Sequence, residues 1–163
     1  MIADSHEIYE RYAPDVHRFA LYLSGDPALA DDITAESFVR LWTAPGEIHT
    51  PTVKSYLLAI ARNLYLTGQR RLRRETELDV SMPAAAPSPE NLAIVRDEAR
   101  HVLQALSRLP EIDRAALLLH ARERMPYQEI ASILGLSVPA VKVKVHRARV
   151  RLLTWCRTTE QQP

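Results

Sequence analysis

Two stretches of the chain concentrate positive charge with no acidic residue among the basic ones. Residues 54–74 and residues 138–157 each carry six basic side chains and no acidic one, whereas the 163-residue chain has 21 basic and 20 acidic residues in all. Lysine and arginine clusters neutralise phosphates, so the two stretches predict two separate contacts with a nucleic acid. Two solvated helix faces would give the same charge pattern, and charge alone leaves that alternative open.

The second basic stretch contains VKVKVHRARVR, residues 141–151, in which basic side chains alternate with apolar or small ones. That alternation is typical of a half-buried β-strand. Counted in helical steps, the same stretch has one continuous apolar line: Val141, Val145, Ala148 and Leu152. Ser137 can cap a helix that starts here, and Pro139 would lie in its first turn. The sequence therefore predicts a helix.

A short helix is predicted just before this basic helix, from Tyr127 to Leu134, followed by Gly135 in a left-handed turn. A short helix, a glycine turn and a basic second helix form the helix-turn-helix arrangement, whose second helix lies in the DNA major groove. An ordinary helical corner with a basic surface is the alternative.

Local signals mark three helices in the first half of the chain. Asp26-Pro27 is typical of an N-cap followed by proline at the first helical position, and Thr50-Pro51 repeats the pattern. Pro14 is expected to break or restart the first helix. Three prolines within residues 78–90 indicate an extended linker.

The predicted fold class is all-α, with two small helical domains joined by a flexible Pro-rich linker and a helix-turn-helix in the C-terminal domain. The predicted bounds are residues 1–74 for the first domain, 75–89 for the linker and 90–163 for the second domain.

Three segments resemble the extracytoplasmic-function sigma factors, the small initiation factors of bacterial RNA polymerase. YERYAPDVHRFALYLSGDPALADDITAESFVRLW is similar to their regions 2.1 and 2.2, and KSYLLAIARNLYLTGQRRLRR to regions 2.3 and 2.4. LSRLPEIDRAALLLHARERMPYQEIASILGLSVPAVKVKVHRARVRL resembles region 4. The chain departs from the family pattern at Ala35, where Gln is usual, and at Pro126, where a capping Ser is usual.

The resemblance implies that the second helix docks on the clamp coiled coil of the polymerase's largest subunit, and that the second domain meets the flap of the second-largest subunit. The implied docking residues are Asp31, Asp32, Ala35, Glu36 and Arg40. Compensation of the helix dipole would explain Asp31 and Asp32 but not Glu36, which lies a turn later.

The resemblance also implies two promoter contacts. The implied minus-ten residues are His49, Thr50, Lys54, Arg62, Asn63, Arg70, Arg71 and Arg74. The implied minus-thirty-five residues are Ser137, Pro139, Ala140, Lys142, Val143, Lys144, Arg147 and Arg149.

No catalytic constellation is visible in the sequence, so we expect neither an enzyme nor a cofactor or metal ion. The expected partners are core RNA polymerase, promoter DNA and an anti-sigma factor. No apolar run is long enough to span a bilayer, and we expect a cytoplasmic protein associated with the nucleoid. Two rivals remain: a helix-turn-helix regulator that binds duplex DNA without polymerase, and a sigma-like decoy that titrates an anti-sigma protein.

Overall fold

The structure, a computed structural model, describes residues 5–44, 52–78 and 96–160. All secondary structure in these ranges is helical, and contacts divide the chain into two units, residues 1–95 and 96–163. The predicted all-α class is confirmed. Within the same ranges, no helix has the length and apolarity that crossing a bilayer requires.

The first unit is a bundle of three helices that all contact one another: α1 (Ser5–Ser24), α2 (Pro27–Thr43) and α3 (Val53–Leu78). Each helix buries one apolar stripe against the other two, as an amphipathic helix must. The largest fully buried apolar side chains of this core are Val16, Phe19, Leu23, Phe38, Leu57 and Leu58.

The predicted start of α2 is confirmed, whereas α3 starts two residues later than predicted. The Asp26 side chain accepts hydrogen bonds from the backbone N–H groups of Ala28 and Leu29, and Pro27 follows it directly. At α3 the capping hydroxyl belongs to Thr52, which accepts from the Ser55 backbone N–H at 3.0 Å. The predicted cap Thr50 lies outside the described residues.

The expectation that Pro14 breaks the first helix is wrong, because α1 runs without interruption from Ser5 to Ser24. An interior proline costs one backbone hydrogen bond and crowds the preceding turn. Pro14 itself is exposed, while Val16 and Phe19 beyond it are buried in the core. The packing of the downstream half thus holds the helix together across the proline.

The predicted linker start is also displaced, because α3 continues through residues 75–78. Residues 75 and 77 are acidic and follow the basic run of the same helix, so charge composition changes before the helix ends. The remainder of the predicted linker, residues 79–89, lies outside the described residues.

The second unit contains α4 (Asp97–Ser107), α5 (Glu111–Ala121), α6 (Tyr127–Leu134) and α7 (Val138–Glu160). Helix α5 packs against both α6 and α7, and every residue from Asp113 to Leu119 is buried. A helix that is buried on all sides is the core of its unit.

The turn between α6 and α7 matches the predicted helix-turn-helix. Helix α6 has the predicted bounds, and Gly135 follows it with φ 67°. The Ser137 hydroxyl accepts a hydrogen bond from the Ala140 backbone N–H at 3.2 Å and so caps α7. Pro126 occupies the N-cap position of α6 and provides no side-chain hydrogen bond, as expected for a proline in place of the usual serine.

Substitution of two glycines by alanine should have opposite effects. Gly135→Ala forces a Cβ into a left-handed conformation, and we expect it to destabilise the second unit by about 1–2 kcal/mol. Gly68→Ala lies inside α3 with open space around the new Cβ, and should stabilise the first unit by about 0.5–1 kcal/mol. Urea unfolding followed by tryptophan fluorescence measures both effects.

The chain has two tryptophans, one in each unit, so Trp42→Phe and Trp155→Phe backgrounds separate the two signals. Gain of stability in Gly135→Ala would contradict the left-handed turn.

Candidate nucleic-acid interface

The apolar line of α7 faces inward and thereby fixes which way the basic side chains point. Val141, Val145 and Ala148 are buried against the rest of the second unit. Because 3.6 residues complete a helical turn, residues off this line lie on the flanks or the outer face. The five cations between residues 142 and 151 therefore fall into two groups, one along each flank, while Arg157 lies further along the helix.

The first flank carries Lys144, Arg147 and Arg151 and is tied to α5 through a buried carboxylate. Arg147 donates from Nε and Nη2 to the two carboxylate oxygens of Asp113, at 3.0 and 3.1 Å. Lys144 Nζ lies 3.6 Å from Asp113 Oδ1. Asp113 has no exposed surface, whereas the Arg147 side chain keeps 45% and Lys144 keeps 20% of theirs.

Asp113 is a residue that sequence reasoning missed. It lies 34 positions before Arg147, and in the sequence it reads as an ordinary acidic residue in the first turn of a helix. Its hydrogen bond and negative charge raise the pKa of Arg147 above the ordinary value. The guanidinium therefore stays protonated at every physiological pH.

The second flank carries Lys142 and Arg149 and rests on an aromatic pair. The rings of His120 and Tyr127 stack with centroids 4.7 Å apart, and Lys142 Nζ lies 5.4 Å from the Tyr127 centroid. A cation over an aromatic face is attracted by the ring quadrupole. Burial, followed by the positive charge of Arg149, lowers the pKa of His120. Its ring is therefore neutral near pH 7.

Between the two flanks, the outermost line of α7 carries three exposed apolar residues: Pro139 and Val143 of the predicted set, and Val150, which the prediction did not include. His146 is exposed on the same line, between Val143 and Val150, and Val143 keeps 60% of its surface. Among the other predicted minus-thirty-five residues, Ser137 is occupied by capping and Ala140 is half-buried. The predicted set thus divides into an apolar ridge, two cationic flanks and a cap.

The predicted minus-ten residues do not form one surface. Asn63, Arg70 and Arg74 are exposed and recur at spacings of seven and four residues, so they share one face of α3. Arg71 is exposed on a different side. Lys54 is half-buried and lies 3.4 Å from Asp15 of α1.

Arg62 is half-buried on the side of α3 between Lys54 and Asn63. His49 and Thr50 fall outside the described residues. Among the described minus-ten residues, the exposed ones are therefore a line of one amide and two guanidinium groups, with Arg71 on a neighbouring side of α3.

The predicted polymerase-docking residues share the outward face of α2. Asp31, Asp32, Ala35, Glu36 and Arg40 are all exposed. Glu36 accepts a hydrogen bond from Arg40 at 3.3 Å, and Asp31 pairs with His17 of α1 at 2.9 Å. Both contacts lie at the edges of the face, and Asp32 lies between them.

The same face continues into an apolar half that the sequence analysis missed. Val39 and Trp42 keep 47% and 49% of their surfaces exposed, and Trp42 contacts Phe38 and Tyr9. An open cleft of about 460 Å³ between α1 and α2 adjoins the acidic half at Asp31. The available sequence signal was that Val39 and Trp42 fall outside the helical stripe of α2 that contains Ala30, Ile33 and Phe38.

Comparison with known proteins shows that each unit matches a protein-family model. The family model "Sigma-70 region 2" matches residues 8–75, and the model "Sigma-70, region 4" matches residues 100–152. The "ECF RNA polymerase sigma factor SigM" of Bacillus subtilis is 31% identical over 152 residues, which cover 90% of this chain and 91% of SigM. The chain belongs to the extracytoplasmic-function sigma factors.

Two other similar proteins are longer than the chain. The "Probable RNA polymerase sigma factor RfaY" of Xanthomonas campestris pv. campestris is 36% identical over 82% of this chain, which corresponds to 36% of RfaY. The "ECF RNA polymerase sigma factor SigE" of Mycolicibacterium smegmatis is 31% identical over 90% of this chain and 59% of SigE. The chain thus spans about a third and three fifths of these two relatives.

Two solved structures have the same fold. The sigma factor RpoE of Bartonella quintana, solved with the anti-sigma factor NepR, aligns over 96% of this chain and 98% of its own, with a TM-score of 0.80 and 23% identity. CnrH, solved with the cytosolic domain of CnrY, aligns over 94% of this chain and 88% of its own, with a TM-score of 0.70 and 24% identity.

The His120 environment predicts a pH dependence. In an NMR titration we expect His120 to have a pKa below the ordinary 6.5, and Arg149→Gln to raise that pKa part of the way back. Because the folded state binds fewer protons than the unfolded state, this contribution to stability is present above pH 6.5 and is lost as pH falls from there through the folded-state pKa. If the pKa of His120 did not change in Arg149→Gln, the proposed electrostatic effect of Arg149 on His120 would be contradicted.

Proposed function

We propose that this chain is a promoter-specificity factor that directs core RNA polymerase to particular promoters and helps to open the minus-ten element. The observation that carries the proposal is the presence of both sigma-70 regions, in order, in one chain. The exposed cations on α3 and α7 support it, since phosphate contacts supply most of the affinity for DNA. The factor itself catalyses no reaction and works in the cytoplasm with the nucleoid.

The docking surface for polymerase in this proposal is the outward face of α2. Its acidic half, with Asp32 and Glu36, suits a basic partner and sets the orientation of approach. Its apolar half, with Val39 and Trp42, would supply the buried contact that charge pairs alone supply poorly. The clamp coiled coil of the largest subunit is the proposed partner, and the flap of the second-largest subunit that of the second unit.

The minus-ten contact is proposed for α3 and the loop before it. Asn63 offers an amide to an unstacked base, and Arg70 and Arg74 on the same face suit the phosphates of a single strand. His49 and Thr50 would hold the base from the loop. Arg71 and Arg62 extend the cationic surface, while Lys54 helps to join α3 to α1.

The minus-thirty-five contact is proposed for α7. Pro139, Val143 and Val150 form an apolar ridge that can lie along the floor of a major groove, where thymine methyl groups are the apolar feature. Cations on both flanks can then reach phosphates on the two sides of that groove. Such a helix offers few hydrogen bonds to bases, which suits recognition of DNA shape.

We also propose an anti-sigma factor as a regulatory partner. The support is that the solved sigma factor RpoE of Bartonella quintana is in complex with the anti-sigma factor NepR.

Run-off transcription with core RNA polymerase and genomic templates tests the proposal. Transcripts with defined start sites that require the chain would support it. Binding to duplex DNA without any effect on core polymerase would instead favour a stand-alone helix-turn-helix regulator. Binding to an anti-sigma protein without support of transcription would favour a decoy.

Reversal of charge on the α2 face should weaken polymerase binding. We expect Asp32→Arg with Glu36→Arg to lower the affinity for core polymerase by about tenfold or more, since like charges then face each other across the interface. Fluorescence anisotropy of the labelled chain measures this. The matched control is Asp97→Arg with Glu98→Arg on α4, which makes the same change in net charge on exposed residues of the second unit. Equal losses of polymerase affinity in the two double variants would contradict the assignment of the docking surface to α2.

Removal of one cation from each flank of α7 should weaken promoter binding without loss of polymerase binding. Lys142→Ala with Arg151→Ala takes away two phosphate contacts. In a plot of the logarithm of the promoter-binding constant against the logarithm of salt concentration, the slope for the polymerase-bound chain should therefore become shallower by about two. Neither residue touches Asp113 within the described contacts. The control is Arg100→Ala on α4 combined with Arg96→Ala at the residue before that helix. An equal reduction of the salt dependence by the control would contradict the assignment.

A further inference from the structure

The buried carboxylate of Asp113 lies on none of the exposed surfaces described above, yet its described cationic partners both belong to α7, the recognition helix of the helix-turn-helix. Arg147 meets it through two hydrogen bonds, and Lys144 Nζ lies 3.6 Å away. A fully buried carboxylate is costly, and replacing a buried ion pair by apolar residues is often neutral or stabilising. Its neighbours on α5, Ala115 to Leu119, are such residues.

The location of Asp113 suits a fixed negative charge. It is the third residue of α5, where the positive end of the helix dipole stabilises a carboxylate. Since α5 is buried on all sides, the carboxylate is as rigid as the core of its unit. The Arg147 guanidinium that is hydrogen-bonded to Asp113 is therefore held in a fixed position as well.

The guanidinium of Arg147 remains able to donate after binding Asp113. Arginine has five N–H donors in a planar fork, and the two hydrogen bonds to Asp113 leave three. With 45% of its side chain exposed, Arg147 can use them toward solvent or a ligand. It lies one turn from Lys144 and one turn from Arg151 along the same flank.

We propose that Asp113 is a positioning residue, which orients the Arg147 guanidinium on the recognition helix so that its remaining N–H groups meet a phosphate of the promoter. The proposal rests on the proposed function. An arginine whose orientation is fixed in advance loses less side-chain entropy when it binds phosphate. The carboxylate thus serves DNA binding although it is itself negative and never touches DNA.

The sign of the effect of Asp113→Asn separates positioning from simple electrostatics. The substitution removes a negative charge near the interface, so electrostatics alone predicts tighter promoter binding and a steeper salt dependence. Positioning predicts the opposite: weaker binding of the polymerase-bound chain to its promoter, by roughly tenfold, because the charge-assisted pair that orients Arg147 is lost. The matched control is Glu98→Gln, an exposed acid-to-amide change on α4.

Two further measurements distinguish positioning from a general loss of structure. In an Arg147→Gln background, Asp113→Asn should weaken promoter binding no further, whereas damage to the fold would weaken it again. Arg147→Lys keeps the charge but loses the planar fork, and should also bind the promoter several-fold more weakly. This second variant decides the matter if Asp113→Asn fails to fold, as judged by circular dichroism.

The outcomes also separate this proposal from the proposed function. If the unaltered chain directs no polymerase to any promoter, the proposed function fails. If it does, and Asp113→Asn binds that promoter as tightly as the unaltered chain or more tightly, positioning by Asp113 is overturned. Parental promoter affinity in Arg147→Lys would overturn it as well.

Discussion

The recognition surface depends on how α7 is held against α5. An apolar line of Val141, Val145 and Ala148 fixes the rotation of α7 about its axis, because any other rotation would expose this line and bury cations. The Asp113 carboxylate then ties the first flank to the core, and the Tyr127 ring supports the second. Without these contacts the cations of α7 would have no fixed pattern.

In the first unit, packing likewise fixes the positions of two surfaces of opposite charge. Three helices share one core, so the outward face of α2 and that of α3 are held rigidly within one bundle. Acidic and apolar side chains lie on α2, and guanidinium groups lie on α3. In the proposed function, this separation keeps the docking face on α2 from competing for the nucleic acid that α3 would hold.

Local sequence signals correctly predicted those features that depend only on residues a few positions apart. The bounds of α6, the left-handed Gly135, and the caps Asp26 and Ser137 follow from side chains that act within a few positions of themselves. The family resemblance added the order of the two units.

Prediction failed where packing or distant contacts decide. Pro14 lies within a continuous helix because the residues that hold α1 together are buried against other helices. The linker start was displaced because the helical signal persists past the basic run. Asp113 was missed because its partner Arg147 is 34 positions away, and Val39 and Trp42 because exposure of an apolar residue is known only once the bundle is built.

The proposed minus-thirty-five contact requires α7 to lie in the major groove of an upstream promoter element, with the ridge of Pro139, Val143 and Val150 facing the bases. A cleavage reagent tethered at Val143→Cys, in a Cys156→Ser background that removes the chain's single cysteine, tests it directly in the polymerase–promoter complex. If α7 lies in the groove, both strands should be cut, and the cuts should cluster at one site upstream of the melted region. Scattered cuts, or cuts only near the transcription start, would contradict it.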